Sequence, residues 1–199
     1  CSYNIWFNYA EQPRLDAVAR LLCEGAAAEP PGAPPPPANA AAMPTPAFVG
    51  LQEVTPQWAA HLRPKLVAGG FHGLHCQQPP QQYFVALATR PPLSALRDVT
   101  TLDYHRTMMG RALVYGRATW PGVGELVLGT THLESFVGPD QQAVVKPNRR
   151  AQLQQAATAL EAAGRRHGCV GAVLVGDFNW KETPSEDGGP AVAVVNAAG

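Results

Sequence analysis

The sequence predicts an α/β fold, a layered sandwich built on mixed sheets. Two features carry that expectation. Apolar, β-branched runs alternate with amphipathic helical ones, the pattern that stacks helices on sheets. Yet "YFVALATR", "GRALVYGRATW" and "ELVLGTTHLES" follow one another with no helical run between them, and parallel neighbours would need such a crossover. A third feature bears on function: several strand runs end in polar residues, as in "LQEV", "THLES" and "GDFN".

Taken in chain order, "SYNIWFN" is β-branched and aromatic enough for a strand. "RLDAVARLLCEG" puts Leu15, Val18, Ala19 and Leu22 on one helical face, with Gly25 as a stop. Residues 25–47 are nearly all Ala, Pro and Gly. Such a stretch supplies no core and its prolines forbid a regular ladder, so it reads as a disordered surface insertion. A partner-binding role for "PPPP" is the minor alternative. "AFVGLQEV" is a second buried strand. "TPQWAAHL" opens a helix with Thr55 as N-cap and Pro56 in the first position, and Pro64 is expected to end or kink it. After the three strands named above, "NRRAQLQQAATALEAAG" is an amphipathic helix with Leu153, Ala156, Ala157 and Leu160 inward. It leads into the strand "GAVLVGDFN".

A chain of 199 residues, 46% of them hydrophobic, is one domain with a sizeable core. It opens at Cys1 without Met, and reads as a piece of a longer protein. No apolar run is long enough for a membrane-spanning helix, so no membrane partner is expected. Four scattered cysteines form no C-x-x-C pair and read as reduced thiols. Fifteen basic residues balance fifteen acidic ones. Locally, the stretch 90–117 is basic, with Arg90, Arg97, Arg106, Arg111 and Arg117 against Asp98 and Asp103. Phosphates or plain solvent would both suit it.

The strand ends gather Asn4, Glu53, His132, Glu134, Ser135, Asp177 and Asn179. Magnesium takes hard oxygen ligands, usually one or two carboxylates, and Glu53 suits that role. The alternative is a strand-end acid satisfied by water or arginine. Asp177 has the chemistry to position a water and accept its proton, or simply to cap a turn. Asn4 and Asn179 would donate to phosphate oxygens without adding charge, though Asn in turns is commonly structural. His132 would donate to a non-bridging oxygen as charge develops, or is simply packed. There is no P-loop and no G-x-S-x-G elbow. His132-x-Glu134 matches half of a zinc deaminase signature without its P-C-x-x-C half. In "FHGLHC", His72, His75 and Cys76 make a weak soft-metal candidate without a second ligand pair.

In order, "YNIWF", "LQEV", "THLES" and "GDFN" resemble the endonuclease/exonuclease/phosphatase superfamily, with its deoxyribonuclease I-like fold. "THLES", together with "YFVALATR" and "TMMGRAL", is similar to the 5′-tyrosyl-DNA phosphodiesterases, which release trapped topoisomerase from DNA 5′ ends. The resemblance runs from Tyr3 to about Lys181, interrupted by the Ala/Pro insertion. It implies an α-β-β-α sandwich and a magnesium-dependent hydrolase of DNA repair, with Mn2+ as a second cation. Its partner would be a DNA 5′ end carrying a phosphotyrosyl adduct, its location the nucleus, with the cytoplasm second. Glu53 becomes the metal ligand, and Asp177, Asn179 and His132 the catalytic set. Asn4, Ser135, Lys181, Arg111 and Tyr83 become substrate-binding.

Two departures qualify the resemblance. Trp6 stands where animal members commonly place an acid. The closing Asp-His pair has no counterpart after Lys181, where no histidine occurs. Residues 1–199 are therefore expected to form a truncated domain that lacks its C-terminal strands and is inactive alone. The alternatives are another superfamily member, such as a deadenylase-like RNA nuclease, or a non-catalytic fragment that retains the fold. Deleting residues 26–46 is expected to leave the urea midpoint of unfolding unchanged, because a tract without core residues contributes little to stability. Loss of cooperative unfolding in that variant would overturn this reading.

Overall fold

The computed structural model describes residues 1–5, 12–24, 45–78, 82–135, 138 and 142–180. The elements are β1 (Ser2–Asn4), α1 (Gln12–Glu24), β2 (Phe48–Val54), α2 (Pro56–Ala68), β3 (His75–Cys76) and β4 (Phe84–Thr89). They continue with β5 (Arg97–Asp103), β6 (Ala112–Trp120), β7 (Gly124–His132), α3 (Gln142–His167) and β8 (Gly171–Asp177). One sheet has the order β1-β2-β4-β3 and the other β5-β6-β7-β8. Each combines a parallel end pair, β1 with β2 and β7 with β8, with antiparallel neighbours. The mixed-sheet expectation holds. The Ala/Pro tract lies outside the described residues apart from 45–47, and Trp6 and Lys181 also lie outside them.

Alternation along the strands makes the layers. In β4, Phe84, Ala86 and Ala88 pack outward with α1 and α2, while Val85 and Leu87 face the second sheet. In β7, Val127 packs on the α3 side, whereas Leu128 faces the first sheet. The result is an α-β-β-α sandwich with a central core of Phe48, Val85, Leu87, Leu93, Leu96, Val114, Ala118 and Leu128. α1 buries Leu15, Val18, Ala19 and Leu22, the face its periodicity predicts. No helix among the described residues is long and apolar enough to cross a membrane.

Three expectations need correction. Pro64 does not end α2, which continues to Ala68 with Leu62 and Leu66 fully buried. A proline inside a helix costs about 3 kcal/mol, and burying two leucines returns roughly 1.5–3 kcal/mol each. The N-cap does hold: the Thr55 side chain accepts from Trp58 N. α3 starts at Gln142 rather than 148 and runs through Pro147, with Val145 fully buried in the added turns. Ala157 is only half-buried. The third correction is β5, a strand that none of the runs named above predicts and that holds part of the basic stretch. Arg97 and Arg117 pair with Asp98 and Glu125, and Arg90 donates to Cys23 O while lying over Phe71.

The two sheets approach closely where Gly50 of β2 passes β7 and β8. A Cβ on Gly50 would sit 2.7 Å from Val175 Cγ2 and 2.8 Å from Thr130 Cβ. Beside it Gln52 Nε2 donates to Thr130 Oγ1 at 3.1 Å, a buried bond between the sheets. Gly50→Ala is therefore expected to cost about 1–3 kcal/mol by forcing the sheets apart. Urea unfolding measures it; an unchanged midpoint would show that the sheets are not in contact there.

Candidate active site

The parallel pairs decide where the site lies. β1 and β2 run together, β7 and β8 run together, and His132 is in register with Asp177. Their C-terminal ends meet at one rim across the gap between the sheets. Asn4 ends β1 and its Nδ2 donates to Asp177 Oδ2 at 2.8 Å. The same nitrogen lies 3.4 Å from Glu53 Oε1. One amide thus links a carboxylate of its own sheet to one of the opposite sheet.

Glu53 reaches this rim because β2 is bulged. The register shifts between Leu51 and Val54, and Glu53 takes φ 59°. In a regular strand residues three apart face opposite sides, yet Leu51 and Val54 share the helix-side cluster. The extra residue restores that phase. A positive φ is uncommon for glutamate, and such residues cluster at functional sites. Asn179 has φ 48° as well. Its backbone N–H donates to Asp177 Oδ1 at 3.0 Å, and its Nδ2 donates to Leu133 O at 3.1 Å. Asp177 is consequently fixed through both oxygens.

His132 is 2% exposed, and its Nδ1 lies 2.7 Å from an Arg111 guanidinium nitrogen. A guanidinium has no acceptor, so Nδ1 carries the lone pair and the ring proton sits on Nε2. That nitrogen faces Asp177 Oδ2 at 3.7 Å. An ion pair there would need a protonated ring, but Arg111 already occupies the second nitrogen. Burial, with Arg111 beside it, holds the His132 pKa well below its ordinary value, while Asp177 pulls the other way. His132 is a neutral Nε2–H donor.

Arg111 is 5% exposed and lies over the Tyr83 ring, 5.3 Å from its centroid. Burial lowers its pKa, opposed by Tyr83, Glu134, Glu53 and Asp177. Of the expected residues, the structure brings Asn4, Glu53, His132, Asp177 and Asn179 together at the rim, with Arg111 and Tyr83 packed behind His132. Ser135 Oγ lies 3.3 Å from Met109 Sδ, beside Arg111 NH2 on the same sulfur at 3.4 Å. Lys181 is outside the described residues. The sequence alone assigns Glu134 no role of its own, yet it is wholly buried. Its place directly after "THL" was the available signal.

Among the described residues no group of three or more His, Cys, Asp and Glu could hold a metal ion. In "FHGLHC", His72 is within 2.9 Å of Leu93 O and Cys76 within 3.9 Å of Arg63. At the rim stand two carboxylates, Glu53 and Asp177, bridged by the amide N–H of Asn4. That set fits Mg2+, which takes one or two carboxylates and keeps waters. Glu53, with the Asn4 amide beside it, would be the residue to hold such a cation.

The model of the endonuclease/exonuclease/phosphatase family matches residues 1–191. No curated protein sequence matches the chain. D. rerio TDP2 complexed with single strand DNA product is 22% identical, with TM-score 0.65 over 98% of this chain and 63% of that one. Truncated Caenorhabditis elegans TDP2 is 20% identical, with TM-score 0.65 over 90% and 61%. ANGEL2, a 2′,3′-cyclic phosphatase, in complex with adenosine-2′,3′-vanadate is 15% identical, with TM-score 0.62 over 89% and 52%. The chain spans less than two thirds of the TDP2 chains it matches. At these identities the likeness carries the fold, the deoxyribonuclease I-like sandwich.

The neutral His132 has a pH consequence. Its folded pKa lies below the ordinary 6.5, so as pH falls through 6.5 the unfolded chain takes up the proton first. Stability from this group is present above pH 6.5 and is lost progressively below it, by at most about 1.4 kcal/mol per pH unit. Urea unfolding of the wild type should therefore lose stability between pH 6.5 and 4.5 faster than His132→Gln does. Parallel slopes would mean that His132 accepts its proton in the folded state.

Proposed function

We propose an activity from this premise: the chain belongs to the endonuclease/exonuclease/phosphatase family. The protein is a magnesium-dependent phosphodiesterase that hydrolyses the 5′-phosphotyrosyl link between DNA and a trapped topoisomerase. The observation that carries this reading is the hydrogen bond from Asn4 Nδ2 to Asp177 Oδ2, which joins the ends of both sheets into one rim of oxygens and donors. Support for the substrate class comes from "THLES" and "TMMGRAL" and from the fold likeness to TDP2 with a single strand DNA product. A nuclear location goes with that reading.

The chemistry is in-line attack of water on phosphorus, which breaks the P–O bond to tyrosine, releases the phenol and leaves a 5′-phosphate on the DNA. Mg2+ held by Glu53 would supply Lewis-acid neutralisation of charge on the phosphate. Asp177, held by Asn4 and by the Asn179 backbone, orients the attacking water and accepts its proton. The Nε2–H of His132 donates to a non-bridging oxygen as negative charge builds there. Neutrality serves this role, because the ring donates without forming a tight ion pair with Asp177. Asn179 keeps one amide N–H for the phosphate beyond the one given to Leu133 O.

The test is made on the intact protein with Mg2+ and three substrates: a 5′-phosphotyrosyl oligonucleotide, poly(A), and an RNA end with a 2′,3′-cyclic phosphate. The first is expected to turn over fastest. Preference for poly(A) would favour a deadenylase-like enzyme, and turnover of none would favour a non-catalytic protein. Glu53→Gln is expected to abolish turnover at ordinary Mg2+, since it removes the charge that holds a hard cation. Asp177→Asn is expected to lose about 10²- to 10⁴-fold in rate with its Mg2+ dependence unchanged. A large loss of metal affinity in that variant would make Asp177 a ligand instead.

A further inference from the structure

We infer that Glu134 is a positioning residue: it pins the loop that carries Arg111, and through Arg111 it fixes which nitrogen of His132 bears the proton. Glu134 lies two residues beyond His132 and is 0% exposed. Its Oε1 accepts from Thr107 Oγ1 at 2.6 Å, Met108 N at 2.9 Å and Met109 N at 3.1 Å. Thr107 Oγ1 in turn accepts from Arg111 N at 2.9 Å. One carboxylate oxygen therefore organises the turn between β5 and β6 from Thr107 to Arg111. The other end of that turn is the guanidinium on His132 Nδ1.

Glu134 is itself anchored by α3. Its N–H donates to Gln152 Oε1 at 3.0 Å, and its carbonyl accepts from Arg149 NH1 at 3.3 Å. Gln152 Nε2 also donates to Arg106 O at 2.6 Å, holding the first half of the same loop. Both partners of the Arg111–His132 contact thus trace back to Glu134, His132 through its own strand and Arg111 through the pinned turn. Without the pin, Arg111 would be held at a solvent-facing loop whose neighbours His105, Arg106, Met108 and Gly110 are exposed.

A second, independent observation sets this cluster apart from ordinary loop anchoring. Among the described residues, the buried side-chain atoms without a hydrogen-bond partner are Arg111 Nε and Glu134 Oε2. Unsatisfied buried polar atoms are rare in folded proteins, and each calls for a specific explanation. Both belong to this assembly, and Glu134 also acts electrostatically on Arg111. The negative group keeps a cation acceptable inside the protein, where it can hold His132 in one tautomer.

The effect on turnover rests on the proposed role of His132; the pin itself does not, and the two are tested separately. The intact protein is labelled with 15N-histidine, and the His132 ring signals are assigned by comparison with His132→Gln. At pH 7 the wild type is expected to show a protonated Nε2 and an unprotonated Nδ1. In Glu134→Gln and Thr107→Val that pattern is expected to give way to averaged tautomers, and Thr107→Ser is expected to restore it. With a 5′-phosphotyrosyl oligonucleotide, the two disruptive variants should lose about 10- to 100-fold in kcat with KM little changed, the usual scale for a supporting residue. Altered ring signals with normal turnover would uphold the pin and remove the catalytic role of His132. Folded variants of both Glu134 and Thr107 with the wild-type ring pattern would overturn the inference. If Glu134→Gln fails to fold, the Thr107→Val and Thr107→Ser pair decides the matter alone.

Discussion

Where Gly50 of β2 passes Thr130 of β7, the two sheets come close enough for Gln52 to bond Thr130 directly. Much else follows from that approach. Side chains of ordinary size between the sheets keep them about 10 Å apart, and a glycine allows less. Asparagine has a short side chain, so Asn4 reaches Asp177 at 2.8 Å only if the strands it joins nearly touch. The parallel pairing at the end of each sheet then fixes which strand termini meet. Asn4 and Glu53 come from one sheet, His132 and Asp177 from the other.

The second requirement is electrical. Arg111 and His132 lie buried side by side, and two buried cations would be costly. The hydrogen bond settles the conflict by geometry: Arg111 donates, so His132 accepts on Nδ1 and stays neutral. Glu53, Asp177 and Glu134 act on the remaining positive charge. In the proposed reaction this leaves a rim with carboxylates for a cation and a water, and with a neutral N–H for the phosphate. The same fold without Arg111 would leave the His132 tautomer undetermined.

Much of this fold was legible in the sequence because burial writes periodicity. The α1 face of Leu15, Val18, Ala19 and Leu22 and the buried runs of β2, β4 and β7 needed only their own residues to be recognised. β5 was missed because "RDVTTLD" is an edge strand with most of its surface exposed, so nothing imposes alternation on it. β3 is two residues long and exists through its pairing with Leu87 and Ala86. Prolines mislead in α2 and α3 because tertiary packing outweighs one lost hydrogen bond. At the site, Glu53, His132, Asp177 and Asn4 stood at readable strand ends. Arg111 stood within an arginine-rich stretch and was named only through the family resemblance; its burial against His132 is a property of the fold. Glu134 was readable as polar but not as buried, since no local pattern reports three donors arriving from a distant loop.

The central claim is that the rim between the sheets is a phosphodiester site organised by Asn4, Glu53, His132 and Asp177. The most direct measurement is a crystal structure of the intact protein with Mg2+ and a 5′-phosphorylated oligonucleotide. The cation is expected on Glu53 and the terminal phosphate within hydrogen-bond distance of His132 Nε2. A phosphate bound elsewhere on the sandwich, with the rim closed by the Asn4–Asp177 bond alone, would contradict it.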